Sequence, residues 1–455
     1  MVNNVNEPLL QAADQLKAAV KDLFDVYDLT LGLPDHPQAL RMRGRLQTPS
    51  EKAFPEINER FRQIGYTPVL RRDPENGLDV LLAMPGVMPQ KSDSRVWVNV
   101  LLYGLTILAT LFVGATWSDQ VPADADLLWL ISHLWIGWPF ALSLMAILTA
   151  HELGHYFAAR RYKVPVSLPY FIPMPIPPLG TMGAVIVMKG RTINRRQMLT
   201  VGAAGPLAGF VFAVPILLVG LALSTVEPMS APAPGSLIFL EGHSLLYLLL
   251  KFVTFGQILP GSGAALSFSG AASEVMAALF GTFPIETGYD VFIHPVAMAG
   301  WAGLLVTALN LIPVGQLDGG HVLYSLIGQR ARAFTWPVIG FLVAMGLLFW
   351  QGWLLWAALI FFLGRSHPDP LDDVTRLATP QKIIAVLVLI IFVLTFTPLP
   401  IRIVTGEGLP LDMGGSAALL LLPGLLLVAR GWLVRHWGSG ALRREHHKPS
   451  TPPAG

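Results

Sequence analysis

There is no cysteine among the 455 residues of this chain. That absence excludes disulfides, thiolate metal sites and cysteine nucleophiles together, so any bound metal has to be held by histidine and carboxylate. Charge is scarce as well: Asp, Glu, Lys and Arg make up 13% of the residues, about half of the roughly 25% usual in globular chains. The charges nearly cancel, at +2 overall, so no basic excess argues for nucleic acid as a partner. The opening MVNNVNEPLLQAADQLK lacks the basic start and apolar core of a signal peptide, and insertion is expected to be directed by the first internal span. No internal repeat is evident. What fills the chain instead is apolar residue, 53% of the total, with a mean hydropathy of +0.55. The ordinary class that fits is a polytopic α-helical membrane protein.

Residues 1–94 are the part with conventional soluble composition and are expected to form a small cytosolic α+β domain. Apolar residues at helical spacing predict a helix over Leu9–Leu29. ALRMRGRLQ reads as a strand. Thr48-Pro49-Ser50-Glu51 reads as a capping box with proline at the first helical position, opening a helix through Gln63. YTPVLRR and LDVLLAM follow as strands around a turn at Glu75-Asn76-Gly77. The order suggests a partial ferredoxin-like sheet, with no evident chemistry.

Residues 95–437 are expected to form a transmembrane domain, and 438–455 a flexible basic and Pro-rich tail. Spans are expected at Val96–Trp117, Leu127–Arg160, Arg196–Leu223, Pro295–Ile327, Ile383–Thr397 and Ser416–Trp432. The apolar run from Ala333 to Leu363 exceeds the roughly 20 residues one span needs. Gln351-Gly352 interrupts it, so it is one tilted helix or a hairpin of two. Arg71, Arg72, Lys91 and Arg95 precede the first span, while Asp119, Asp124 and Asp126 follow it without Lys or Arg. Arg160, Arg161, Lys163, Arg191, Arg195 and Arg196 gather beyond the second. By the positive-inside rule the N-terminal domain is cytosolic. A cytosolic tail bearing Arg430, Arg435, Arg443 and Arg444 then requires an even count, which favours the hairpin and about eight segments.

Within the second of these spans lies His151-Glu152-Leu153-Gly154-His155. On a helix, residues i and i+4 share a face, so the two imidazoles can grip one metal ion, with Glu152 beside them as base for a metal-bound water. With 11 His and 12 Glu, composition alone supplies on the order of 0.01 chance matches. Ionisable groups at membrane depth are costly, and three in five positions call for a function. Catalytic zinc usually takes three protein ligands. Asp318, in NLIPVGQLDGGH from Asn310 to His321, closes another apolar run and should lie near the same depth as His151. It could instead merely cap a helix. His321 is the competing third ligand. Asn310 could hydrogen-bond a substrate backbone, steady an oxyanion or simply bridge two helices.

HELGH in a membrane span with a distant NLIPVGQLDGG resembles the site-2 protease family of intramembrane zinc metalloproteases, over a catalytic core of about residues 127–330. The resemblance implies one Zn2+ per chain on His151, His155 and Asp318, Glu152 as catalytic base, and Asn310 as a substrate-positioning residue. It also implies that Pro178–Gly190 (PLGTMGAVIVMKG), read from its residues as a β-hairpin or re-entrant loop, is a membrane-embedded β element. Gly180, Thr181, Met182 and Gly183 there would pair with an extended substrate. The implied partners are the lipid bilayer and a membrane protein with a transmembrane helix, commonly a tethered regulator. GAAGPLAG at Gly202–Gly209 suits close helix packing. The 70 or so residues between Ser224 and His294 show no PDZ pattern, and no CBS pair follows. A soluble N-terminal domain resembles the plastid and cyanobacterial branch, and residence in a prokaryotic inner membrane is expected. RSHPDPLDD, with His367, Asp372 and Asp373, could bind an ion but reads as a plain solvated turn. The competing classes are a transporter using the His pair as a permeation site, which should show polar residues across several spans, and a silent homologue, which should have lost Glu152 or a ligand.

Overall fold

The computed structural model describes residues 7–34, 36–87, 95–122, 124–188, 190–228, 237–257, 268–282, 289–363 and 369–405. The expected segment Ser416–Trp432, the tail and His367 lie outside these.

The N-terminal part runs α1 (Glu7–Val20), β1 (Phe24–Leu33), β2 (His36–Leu46), α2 (Ser50–Ile64), β3 (Tyr66–Arg72) and β4 (Asp79–Pro85). Its sheet has the order β1-β2-β4-β3, with every neighbouring pair antiparallel. β2 and β3 are therefore parallel with β4 inserted between them, the split βαβ unit of ferredoxin-like folds. The expected helix over Leu9–Leu29 stops at Val20. Beyond it Phe24, Val26, Tyr27 and Thr30 suit a pleated surface better, and β2 satisfies their backbone. The expected capping box does not form either. Pro49 is the N-cap and has no side-chain acceptor to offer, Glu51 pairs with Arg196 instead of reaching back, and Ser50 bonds Thr375. Both side chains are used to dock the domain onto the rest of the chain.

That docking is made through the segment expected to be a solvated turn. Leu371 enters the N-terminal core beside Leu16, Phe54 and Leu70, and Asp372 is fully buried. The Leu70 amide donates to the Leu371 carbonyl (2.7 Å) and the Asp372 amide to that of Ile193 (2.6 Å). Two isolated parallel bridges at Asp372, to Leu70 and to Asn194, thus tie β3 to the residues that lead into the helix starting at Arg195. Burial pushes the Asp372 carboxyl above its ordinary range, although Val374 and Thr375 amides donate to it.

Four helical runs among the described residues are long and apolar enough to cross a membrane: Val96–Thr116, Leu134–Arg161, Arg195–Ala222 and Asp318–Leu348. The elements are α3 (Val96–Thr116), α4 (Leu127–Ser132), α5 (Trp138–Arg161), a hairpin of β5 (Tyr170–Pro173) and β6 (Thr181–Val185), and α6 (Arg195–Ala222). After β7 (Thr225–Pro228), β8 (Leu237–Glu241), α7 (Leu245–Phe255), α8 (Phe268–Phe280) and β9 (Tyr289–Phe292) come α9 (Pro295–Asn310), α10 (Asp318–Ile327), α11 (Thr335–Leu348), α12 (Gly352–Leu363), α13 (Thr379–Thr395) and β10 (Ile401–Thr405).

Two expected spans differ. Leu127–Arg160 is not one helix, because the chain breaks at His133 and starts again at Leu134 as a 3-10 turn that runs into α5. Gly137 is there because a Cβ would meet the Leu111 carbonyl of α3 at 2.0 Å. Pro295–Ile327 is broken between Asn310 and Asp318, where Pro313 cannot continue the helix and Gly315 adopts φ +61. The Ala333–Leu363 run is, of its two expected forms, the hairpin, made of α11 and α12 and packed where Gly346 meets Leu354. The Asp318–Leu348 run also reverses. Gly328 (φ +66, ψ −142) ends α10 against Arg195 at the start of α6, whereas Phe349 beyond α11 packs on Phe280. On that Phe280 side, away from the N-terminal domain, β8 pairs with β10 and β7 with β9, so the long loop between Ser224 and His294 is partly structured.

Candidate active site

α5, α6 and α9 pack around one apolar core that includes Leu144, Ile147, Leu217 and Trp301. Their closeness is written in glycine. A Cβ on Gly154 would meet the Ala204 carbonyl at 2.5 Å, on Gly220 the Ala297 backbone at 2.1 Å, and on Gly303 the Ile147 side chain at 2.8 Å. Small residues that let backbones approach are how helices associate without a hydrophobic drive. On α6 the glycines at 202, 205 and 209 share a face. A Cβ at Gly205 would fall 2.0 Å from His155 Nε2, and one at Gly209 would stand 3.2 Å from the His151 ring. That face is the floor on which the two histidines of α5 lie.

His151 and Glu152 are buried, at 4% and 7% exposure, and the rings of His151 and His155 meet edge to face with centroids 4.9 Å apart. His155 Nδ1 lies 2.7 Å from the Val201 carbonyl of α6. A proton on Nδ1 makes that contact a hydrogen bond and leaves Nε2 with its lone pair free, the arrangement that orients metal-binding histidines. Asp318 reaches the same point from α10. Its Oδ2 lies 3.2 Å from His155 Nε2 and 3.5 Å from His151 Nε2, and the two Nε2 atoms are 3.2 Å apart. A tetrahedral zinc with bonds of about 2.0–2.2 Å separates its ligand atoms by about 3.3–3.6 Å. Three donors drawn from two segments far apart in the chain thus stand close to the spacing of three corners of one coordination tetrahedron. Neither Glu152 nor His321 belongs to this group of mutually close donors.

The turn that carries Asp318 explains its motif. Gly319 and Gly320 begin α10 where a Cβ would lie 2.0 Å from the Leu311 carbonyl and 2.5 Å from that of Gly315. The loop from Leu311 to Leu317 folds onto the first turn of α10, and the glycine pair is what admits it. Asp318 does not act as a cap: Leu317 is the N-cap and has no side-chain bond. Asn310, at the end of α9, brings Nδ2 to 3.4 Å from His151 Nε2, so it borders the same donor group. His321 is buried one turn further along α10, with its Cβ against Gly202. The Glu152 carboxylate makes no hydrogen bond among the described residues.

The β element expected at Pro178–Gly190 is the second arm, β6, of a hairpin over 170–185 whose first arm lies upstream of the expected range, with Tyr170 opposite Val185 and Phe171 opposite Ala184. The hairpin lies along the whole of α3. Asn99 donates to the Leu168 and Pro169 carbonyls, Tyr103 meets Phe171 edge-on, and Trp117 donates to Pro178. Gly180 and Gly183 have φ +75 and +85, a left-handed backbone that glycine alone adopts without strain. The buried Thr181 bonds the Ile172 carbonyl, and Met182 and Gly183 are half-buried on β6. These four residues stand on the hairpin rather than in the donor group. β6 has one edge without a strand partner among the described residues. Sequence reasoning missed Val201 and the individual roles of Gly154, Gly205 and Gly209. For Gly205 and Gly209 the spacing of glycines in GAAGPLAG carried that signal.

Residues 139–349 match the model of peptidase family M50. The probable zinc metalloprotease EGY2, chloroplastic, of Arabidopsis thaliana is 28% identical over 401 residues, covering 86% of this chain and 65% of that protein. Its counterpart of the same description in Oryza sativa subsp. indica is 27% identical over 385 residues, 83% of this chain and 64% of that protein. The probable zinc metalloprotease EGY1, chloroplastic, of Arabidopsis thaliana is 35% identical over 268 residues, 57% of this chain and 42% of that protein. The chain thus spans about 65% of the length of the first of these relatives. No solved structure matches it.

Proposed function

Because this chain carries a domain of peptidase family M50 and is homologous to chloroplastic zinc metalloproteases, we propose that it is an intramembrane zinc metalloendopeptidase, hydrolysing a peptide bond within or at the edge of a substrate's transmembrane helix. The observation that carries the reading is the donor triangle of His151, His155 and Asp318, with sides of 3.2–3.5 Å. Those residues hold the ion. When bound, zinc supplies Lewis acidity toward a carbonyl and acidifies a water. Val201 sets the ring of His155. Glu152, buried and free of other bonds, takes the proton of the attacking water and delivers it to the leaving amide nitrogen. Asn310 borders the reacting carbonyl and steadies it. The open edge of β6 receives the substrate as an added strand, which unwinds its helix and exposes the peptide bond.

In this proposal the N-terminal domain (1–94) and the tail (438–455) are cytosolic and the membrane domain (95–437) has about eight segments. Its product is a released membrane-tethered regulator. The expected prokaryotic inner membrane has no support from the matched relatives, whose names carry the word chloroplastic, and the proposal is confined to residence in a membrane. The test pairs Glu152→Gln with His151→Ala and Asp318→Ala in vesicles holding a single-span reporter. Glu152→Gln should keep zinc and lose cleavage, while the other two lose both. Processing by Glu152→Gln would refute the base assignment, and a full zinc complement in Asp318→Ala would refute the ligand set.

A further inference from the structure

Between the N-terminal domain and the domain-side ends of α5 and α6 lies a cleft of about 330 Å3. Arg62 and Tyr66 line it from one side, and Tyr162, Lys163 and Arg191 from the other. None of its lining residues is Asp or Glu. Arg62 is paired with Glu59, but Lys163 and Arg191 are exposed and form no ion pair among the described residues. The cleft sits where apolar helix gives way to charge: α5 ends at Arg161 and α6 begins at Arg195. That is the depth of lipid headgroups, where tyrosine and basic side chains collect.

Lys163 adds an independent observation. It is the one non-glycine residue with positive φ (+56) among those described, where ten glycines hold the other such positions. Its amide bonds the Arg160 carbonyl, and Val164 bonds Ala159, closing the helix by a Schellman turn. Glycine is the unstrained choice there. A lysine held in that backbone directs a cation into the cleft at a conformational cost, which is the mark of a side chain with work to do.

We propose that this cleft binds the phosphate of an anionic phospholipid headgroup, with Lys163 and Arg191 as its counter-charges. The site stands just beyond the base of the β5–β6 hairpin, whose arms are still bridged at Val166 and Met188. A bound lipid therefore braces the hairpin against the N-terminal domain.

The test uses the full-length protein, delipidated in neutral detergent and titrated with phosphatidylglycerol, phosphatidylcholine or inorganic phosphate under native mass spectrometry. Phosphatidylglycerol should be retained in preference to phosphatidylcholine. The double variant Lys163→Gly/Arg191→Gln should weaken that retention about thirtyfold, given the worth of two basic residues near a charged surface. Zinc content should stay unchanged, and Lys163→Gly relieves rather than adds backbone strain. Arg191→Gln alone, with an intermediate loss, covers the case in which the double variant fails to fold. Equal retention of the two lipids, or an unaffected double variant, overturns the proposal. So does inorganic phosphate binding as tightly as the lipid, which would make the occupant a soluble phosphate. Displacement of the lipid by a short polyglutamate peptide would make the occupant an acidic polypeptide and overturn the proposal equally.

Discussion

Replacing Gly205 by alanine adds one methyl group to α6 and should empty the metal centre. The new Cβ would lie 2.0 Å from His155 Nε2, 2.3 Å from Cδ2 and 2.6 Å from Cε1. Ordinary contact begins near 3.4 Å, so the imidazole or the helix must retreat by about 1.4 Å. Metal–ligand distances tolerate about 0.2 Å, and the displacement is several times that. Helix propensity works the other way, because alanine in a helix interior is favoured over glycine by about 1 kcal/mol. Any loss is therefore steric. The expected result is a zinc affinity at least about 100-fold weaker, read by chelator competition and metal stoichiometry on the purified protein. Two further glycines grade the argument. Gly209→Ala meets the His151 ring at 3.2 Å and should cost about tenfold or less. Gly340→Ala, with nothing within 4 Å, should bind zinc as the parent does. A Gly205→Ala protein that keeps one zinc per chain at parental affinity would refute the packing argument.

Asp372→Asn keeps an acceptor for the Val374 and Thr375 amides and removes a charge from a fully buried site. Burial raises the folded carboxyl above its unfolded value, so the wild type loses stability as pH rises through that interval. The asparagine variant should match or exceed it at neutral pH, with the difference vanishing as pH falls toward 4; a variant less stable at pH 7 contradicts the sign. Lys251 is wholly buried, 3.2 Å from Glu241 and 3.1 Å from His243. Lys251→Met leaves Glu241 without its cation and should cost about 3 kcal/mol in thermal or denaturant unfolding, part of it recovered by adding Glu241→Gln. Gly180→Ala forces a left-handed backbone on alanine and brings its Cβ to 2.9 Å from the Ala109 carbonyl. It should lift the hairpin from α3, destabilise by about 1–2 kcal/mol, and lower cleavage of a membrane reporter without loss of zinc. Loss of zinc there would show that the hairpin and the metal group are one unit.

The donor group was legible because its chemistry is local and its setting unusual: a His pair at helical spacing on an apolar helix, and an aspartate beside a broken one. The second arm of the hairpin was legible from the glycines that bracket Thr181, whereas the first, Tyr170–Pro173, was not. Less could be read where side chains serve distant partners. Thr48–Glu51 has the letters of a capping box, yet Ser50 and Glu51 are taken by Thr375 and Arg196. RSHPDPLDD has the polarity of a surface turn, yet Leu371 and Asp372 are inserted between two other segments. Lys251 sits in an apolar run that gives no hint of Glu241 and His243 around it. In each case the decisive neighbour is supplied by tertiary contact, to which local propensity is blind. The break after Asn310 was visible as Pro and Gly, but the sequence does not tell whether a helix bends there or stops.

The donors proposed to hold the metal come from two segments separated by 163 positions, His155 and Asp318. A chain made and inserted from its N-terminus presents HELGH to the bilayer long before residue 318 of 455 has been synthesised. Until α10 arrives the site has two donors and nothing to hold an ion firmly. If the proposed ligand set holds, the geometry is a safety interlock on biosynthesis: every product that stops short of residue 318 lacks the third donor. An ion bound there would staple the early and late segments together.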